Sequence, residues 1–518
     1  MQSHIDQLES RIIGLERTVN LNQQQAEPPN SRIQYDSPKS RPEDKEFMTF
    51  RGKNYKTVFY GATHDTSSFN HLCSLKPFMK EMMVQHPVLV QMQKKFRGSK
   101  VSRPAGEASG CKGNLLYMYL PSRPIADRLL DLYISSFEKT YCVLHLPSFR
   151  SEYTGMWEDL ANARPVFVSL VLLILASMNC MVKQEQPSFR GDSSSARETA
   201  IGWIEVCDSF LETQSQKHIT LNYLQARIVS FIAKAINAVK KKRAWTMMGT
   251  MMSFAVSAGL HRDAESLNQK HGRDGPRRRV SYFDQEMRRR LWSTISELEL
   301  QSAIERGMPA SLPDLLVDCG PPCNCEDEDM DPGMDYPPGS RPISIFTSSS
   351  FLHLMSTSWE MRRSLVSSIN GASRPLDHQN VLRYDRMIRK ALDGIPPWNG
   401  AGSEYATSLV QVQLQQFLTF AHRPLVDTGL PQDFGYLGKE HIGPAQTVVD
   451  LHYRLWKSGN CILLAFRKDL LGAGLSICHA LESALRIPGR ICIPFQSVLG
   501  LTDYRYTIVI EDRDDGYK

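Results

Sequence analysis

A one-sided charge is missing from this chain. Its 518 residues carry 61 Lys+Arg against 55 Asp+Glu, a formal net charge of only +6, too small a bias for a nucleic-acid sleeve along the whole chain. A long apolar run is missing too. The longest, Val166 to Met178, is interrupted by Ser169 and Ser177 and falls well short of the roughly 20 residues of a membrane span, so it reads as a buried helix and no membrane partner is expected. An even set of cysteines is absent: eleven are scattered from Cys73 to Cys492, and the first residues lack a signal-peptide pattern. That usage predicts reduced thiols in a cytosolic or nuclear compartment. No GxxxxGK[ST], GxGxxG, GxSxG or HExxH occurs, which leaves no recognisable phosphate cradle, nucleophile elbow or zinc-protease helix and predicts a protein that is not an enzyme.

What is present is mostly helical periodicity. Ile5, Leu8, Ile12, Leu15 and Val19 alternate spacings of three and four, the a/d seam of a heptad repeat, with Ile and Val at a and Leu at d as in parallel dimers. Residues 1–25 therefore predict either a dimerisation coil, homodimeric or heterodimeric, or an amphipathic helix packing on its own chain. Residues 26–114 turn polar and Pro-bearing and predict a linker, mostly disordered, with Tyr55 to Tyr60 as a short strand or docking segment. From Leu115 helices follow helices. Pro124 and Pro165 suit first turns; helices are expected over Ile201–Leu211, Leu221–Val239 and Ala244–Ala258, the last closed by Gly259, and over Tyr282–Arg306, stopped by Gly307 and Pro309. A Pro-rich acidic loop at 321–345 separates this first lobe, 115–320, from a second helical lobe, 346–518. There Phe351–Ile369, Val381–Leu392, Ser408–Ala421 and Val448–Leu471 carry helical texture and Arg490–Ile510 is β-rich. The expected fold class is all-α: a large two-lobe helical domain behind a short coiled coil and a flexible linker.

The near-neutral total hides an uneven distribution. Residues 221–300 hold 15 Lys+Arg and 7 Asp+Glu, a local +8, whereas 314–335 hold 8 acids and no base; the two face each other or a partner. Cys319, Cys323 and Cys325 form one C-x3-C-x-C cluster without the second pair a structural zinc needs, so they read as loop thiols beside a solvated acidic run. Asp327 and Asp329 invite a magnesium–diphosphate reading, but Pro332 and Gly333 disfavour the helix it requires. His261 with Asp263, and His145 with Ser148, read as helix-end buttresses. Lys240, Lys241, Lys242 and Arg243 form a basic block suited to nuclear import or to a solvated turn. Arg288, Arg289 and Arg290 read as the solvated side of a helix whose core face continues through Leu291 and Trp292.

Several ordered motifs then coincide. Arg243-Ala-Trp245-Thr-Met-Met-Gly249, Ala258-Gly259-Leu260-His261-Arg262-Asp263, Phe283-Asp-Gln-Glu286-Met-Arg288-Arg289-Arg290-Leu-Trp292 and Glu297-Leu-Glu299 resemble the regulatory middle domain of fungal binuclear zinc-cluster transcription factors. Leu120-Pro-Ser-Arg-Pro124, Ala126-Asp-Arg-Leu-Leu130, Leu144-His-Leu-Pro-Ser-Phe149, Gly307-Met-Pro-Ala310 and Ala421-His-Arg-Pro-Leu425 add to it. The likeness is close over about 120–320 and looser over 350–475. The resemblance implies a ligand- or partner-responsive helical module acting on transcription in the nucleus, often on a metabolic or secondary-metabolite gene set. It also implies contact with DNA, directly or through a partner, and with the transcription machinery. The family's linker and short coil follow its zinc cluster and set half-site spacing; here Met1 begins at the coil and none of the eleven cysteines has the cluster spacing. The expectation is thus a regulator lacking its own zinc module in this chain, with zinc present only if a full-length form carries the N-terminal cluster. The competing expectations are a helical Mg-dependent diphosphate enzyme and a non-nuclear helical scaffold.

Overall fold

The computed structural model describes residues 49–91 and 113–485, apart from 54–55, 73, 89, 183–187, 191–192, 216, 218, 264–279, 313, 372–375 and 429–433. All of them belong to the unit Phe47–Lys518. The heptad residues Ile5, Leu8, Ile12, Leu15 and Val19 and the β-rich end at 490–510 lie outside the described residues.

The described chain is helical, with two short antiparallel ribbons. The first is β1, Thr49–Lys53, paired with β2, Lys56–Tyr60; the second is β3, Phe189–Arg190, paired with β4, Ser193–Ser194. The helices in order are α1 Asp65–His71, α2 Leu75–Gln85, α3 Arg123–Tyr133, α4 Leu146–Glu158, α5 Pro165–Met178, α6 Ser195–Glu212, α7 Leu221–Ile236 and α8 Ala244–Ser257. Then come α9 Tyr282–Arg306, α10 Ser350–Thr357, α11 Trp359–Gly371, α12 His378–Asp393, α13 Ser403–Thr428, α14 Phe434–Lys457, α15 Ile462–Phe466 and α16 Asp469–Leu485.

Local chemistry sets the ends. Pro165 opens α5, where its missing N–H costs nothing, and α5 is buried from Phe167 to Met178 among α3, α6 and α7. Ser281 caps α9 by accepting from the Asp284 N–H, and Gly307 at φ +61° closes it in the left-handed conformation glycine tolerates. Gly259, φ +73°, does the same beyond α8. Between α3 and the short helix Lys139–Tyr141, one π-helical turn, Ile134–Glu138, turns the Glu138 side chain into the interior. One continuous apolar core runs from Leu116 to Phe466 through both halves, with a smaller cluster around Val412, Val448, Leu451 and Ile477.

Four expectations change. The helix expected over Phe351–Ile369 is two, divided at Ser358; the stretch Val448–Leu471 belongs to α14, α15 and α16, broken where Gly459 takes φ +85°. The predicted linker holds structure over its described part: β1, β2, α1 and α2 occupy 49–85, and residues 61–68 dock on the body. Gly61 N–H donates to the Gly307 carbonyl at 3.0 Å, Thr63 Oγ1 to the Ile304 carbonyl at 2.7 Å, Thr63 N–H to Asn370 Oδ1 at 3.1 Å, and Arg423 Nη1 to the Ala62 carbonyl at 3.0 Å. Small residues that read as turn composition here let two backbones touch. The acidic loop, finally, is not solvated throughout. Asn324, Cys325 and Asp327 are buried, and the Asn324 amide donates to the carbonyls of Arg341, Pro342 and Ile345.

Candidate functional site

The motif residues converge where α9 meets the end of α8, the start of α4 and the acidic loop. Arg290 projects from α9 into an interior position with no exposure. Its Nε bonds Glu286 Oε1 at 3.3 Å, one turn back, its Nη1 bonds Asp327 Oδ1, and its Nη2 reaches Cys325 Sγ at 3.3 Å. Burial disfavours the guanidinium charge, but Asp327 and Glu286 more than offset this and hold Arg290 protonated well above its ordinary value. The carboxylates have further duties. Asp327 Oδ2 accepts from the Leu146 N–H at 2.7 Å and Glu286 Oε1 from the Cys323 N–H at 3.0 Å. His145 caps α4 by accepting from the Ser148 N–H through Nδ1, while its Nε2 sits 2.9 Å from the Asp327 carbonyl oxygen. Glu138, in the π turn beside them, accepts from the Leu144 N–H at 3.0 Å, and burial pushes its carboxyl up to about 8.

This corrects two readings. Arg288 to Arg290 are no solvated face: Arg290 is buried, Arg289 pairs with Asp263 at 3.0 Å, and Arg288 Nη2 donates to the Ala258 carbonyl at 2.6 Å, tying down the end of α8. The acidic run is no free carboxylate cluster either. Asp327 is consumed by Arg290 and Leu146, and Asp329 pairs with Arg341 at 2.7 Å. The basic stretch and the acidic loop face each other, since Arg262 also binds Asp318 at 3.0 Å.

The remaining motif residues are architectural. Trp245 Nε1–H donates to the Pro309 carbonyl at 3.0 Å. A Cβ on Gly249 would lie 3.2 Å from Ser311 Oγ. Leu260 is fully buried, and the His261 carbonyl accepts from Asp318 and Cys319, each at 3.2 Å. Trp292 lies edge-on to Trp359. Lys240 to Arg243 stand apart from this centre as an exposed turn, with Lys240 at φ +51° and Lys240 Nζ 3.9 Å from Asp208.

Sequence reasoning missed Asp327, Glu138 and Asn324 as interior groups. It also missed Arg362, whose guanidinium grips Glu297 through two hydrogen bonds of 2.8 and 2.5 Å. The thiols offer no nucleophile or zinc ligand set. Burial pushes Cys319 and Cys323 up to about 12, Cys325 accepts from Arg290, and among the described residues no group of three or more His, Cys, Asp or Glu is placed to hold a metal. The zinc that the resemblance implies thus has no fitting site among them. No described helix is long and apolar enough to cross a membrane. The hydrogen bonds of Arg290, Asp327 and Glu286 thus hold α9, the start of α4 and the acidic loop together.

Residues 130–393 match the fungal specific transcription factor domain. Transcription factor opdR of Penicillium oxalicum is 26% identical over 322 residues, 59% of this chain and 39% of that protein. Transcription factor phm2 of Pyrenochaetopsis sp is 22% identical over 532 residues, 93% of this chain and 69% of that protein. Equisetin cluster transcription factor eqxF of Fusarium heterosporum is 26% identical over 286 residues, 54% and 39% respectively. This chain therefore spans well under two thirds of the length of opdR and of eqxF. No solved structure matches it. Ordered motifs, the helical body they build and a domain match over half the chain together establish that this protein belongs to the family of the fungal specific transcription factor domain.

Proposed function

We propose that the chain is the regulatory body of a transcription regulator that controls a metabolic gene set, one serving secondary metabolism. The observation that carries this is the domain match over 130–393, with relatives named for individual metabolite clusters. The protein acts in the nucleus, dimerises through Ile5, Leu8, Ile12, Leu15 and Val19, and meets DNA directly or through a partner; zinc enters only if an N-terminal cluster accompanies this chain. The exposed Lys240–Arg243 turn, apart from the buried centre, supports a role in import. Asp208 lies 3.9 Å from Lys240 Nζ, and Glu305 acts on Lys241. The test is transcript profiling with and without the gene, beside the location of a tagged copy and of one with Lys240–Arg243 reversed to glutamate. A coherent gene set changing with the gene, nuclear tag and loss of accumulation on reversal are expected. Unchanged transcripts with a cytoplasmic tag overturn the regulator, and unchanged accumulation of the reversed copy overturns the import role alone.

A further inference from the structure

A cavity of about 120 Å3 lies between α7, α8, α9 and α15, with apolar walls from Phe231, Val239, Met247, Leu298, Leu464 and Phe466. Four charged residues also line it: Lys241, Glu305, Arg467 and Lys468. Arg467 is met by Asp469 at 3.0 Å, which leaves two ammonium groups and one carboxylate. Glu305 Oε1 already accepts from Gln301 Nε2 at 3.0 Å and from the Lys468 N–H at 3.2 Å. Its Oε2 stands 3.9 Å from Lys468 Nζ, beyond hydrogen-bond reach. Among the described residues Lys241 has no hydrogen bond or ion pair, and the Lys468 ammonium has only that long contact. Both side chains are open to a ligand, for Lys241 is exposed and Lys468 keeps 34% of its side-chain surface.

The lining therefore carries one positive charge in excess, set against apolar walls. Partial burial and the like charge of Lys468 push the Lys241 ammonium below its ordinary value, with Glu305 acting the other way. An anion near both lysines relieves that repulsion and gives each ammonium a charge-assisted acceptor. The other polar side chains of the lining are taken: Ser302 Oγ donates to the Leu298 carbonyl at 2.8 Å, and Gln301 Oε1 accepts from Arg467 Nη2 at 2.7 Å. Beyond its anionic end, then, the occupant is apolar. A cavity near 150 Å3 holds a benzene, so this one takes a tail of roughly four or five carbons.

We propose that this cavity binds a short-chain aliphatic monocarboxylate of about four to six carbons, its tail among Val239, Met247 and Leu464 and its carboxylate between Lys241 and Lys468. The site goes beyond the regulatory reading, and its test uses the purified full chain, so it is separate from the import role of Lys240–Arg243. The probes are butanoate, pentanoate and 3-methylbutanoate, with acetate, 1-pentanol and pentylamine as controls, read by calorimetry and thermal shift. At least one of the three carboxylates saturates a single site and raises the unfolding temperature. Acetate binds at least about tenfold more weakly, since each lost methylene costs about fourfold, and 1-pentanol and pentylamine fall as far for want of a negative charge. Lys241→Met and Lys468→Met each weaken that carboxylate at least about fivefold, Lys241→Arg keeps the charge and most of the affinity, and Lys242→Met, at a position outside the lining, changes nothing. Failure of all three carboxylates, equal binding of 1-pentanol, or parent-like binding by both Lys241→Met and Lys468→Met overturns the proposal. An equal loss on Lys242→Met also overturns it, assigning the anion to diffuse surface charge.

Discussion

Arg290→Met tests whether the α9 centre holds the acidic loop in place. The substitution keeps the volume and helix propensity but removes the cation serving two carboxylates, Glu286 and Asp327, both nearly inaccessible to water. Deleting one partner of a buried ion pair costs about 3–5 kcal/mol, because the survivor stays buried without compensation. At about 1.4 kcal/mol per factor of ten, local opening rises by roughly two to nearly four orders of magnitude. Hydrogen exchange reads this residue by residue. The Leu146 amide, bound to the orphaned Asp327, loses that much protection and the Cys323 amide, bound to Glu286, which keeps Arg289 at 4.0 Å, loses up to that much, whereas Leu173 inside α5 loses far less. Combining Arg290→Met with Glu286→Gln and Asp327→Asn removes the charges yet keeps acceptors for both amides, and returns protection to within about tenfold of the parent, since apolar or neutral replacement of a buried pair is often neutral. Unchanged exchange at Cys323 and Leu146 in the single variant would refute the reasoning, as would a triple variant no better than the single.

Two further outcomes follow from the same geometry. Burial raises Glu138 from 4.5 to about 8, so the folded state keeps a proton the unfolded chain releases, and its contribution to stability is lost as pH rises from about 4.5 to about 8, by about 1.4 kcal/mol per unit at most; Glu138→Gln flattens that part of a stability–pH curve, and an unaltered slope assigns it to other groups. Gly61→Ala would set a Cβ 2.1 Å from the Gly307 carbonyl oxygen, breaking the Gly61–Gly307 hydrogen bond; limited proteolysis then cuts within 61–91 well before 130–393, and an unchanged cleavage order shows that the docking does not depend on this contact.

Elements with local causes were legible in the sequence. Tyr282–Arg306 runs between a serine cap and a left-handed glycine, both local signals, and the structure has the same ends. Within that helix, however, the sequence pattern placed Arg288 to Arg290 outward because charge on a helix usually faces water. What overrides this is Asp327, 37 positions away, in a short 3-10 turn of the acidic loop, and no periodicity of α9 carries information about that partner. The same holds for Thr63 and Asn370, 307 positions apart. Polar and turn-forming residues look alike whether solvated or folded against a distant helix end, so the docked linker and the buried loop were the parts that could not be read.

α9 organises these long-range pairs along one axis. Glu286 and Arg290 fix the acidic loop, Glu297 fixes Arg362 of α11, Gln301 and Glu305 meet Arg467 and Lys468 just before α16, and Ile304 and Gly307 receive residues 61–63. Each segment crossing the helix is thus pinned by polar groups at set positions along it. Sliding α9 by a turn would place Arg290 where Glu286 or Thr294 now stands and would leave buried charges against apolar walls, each mismatch costing several kcal/mol. An apolar helix of this length could pack in several registers with little difference, because apolar contacts are non-directional. The charges inside α9 therefore fix one register.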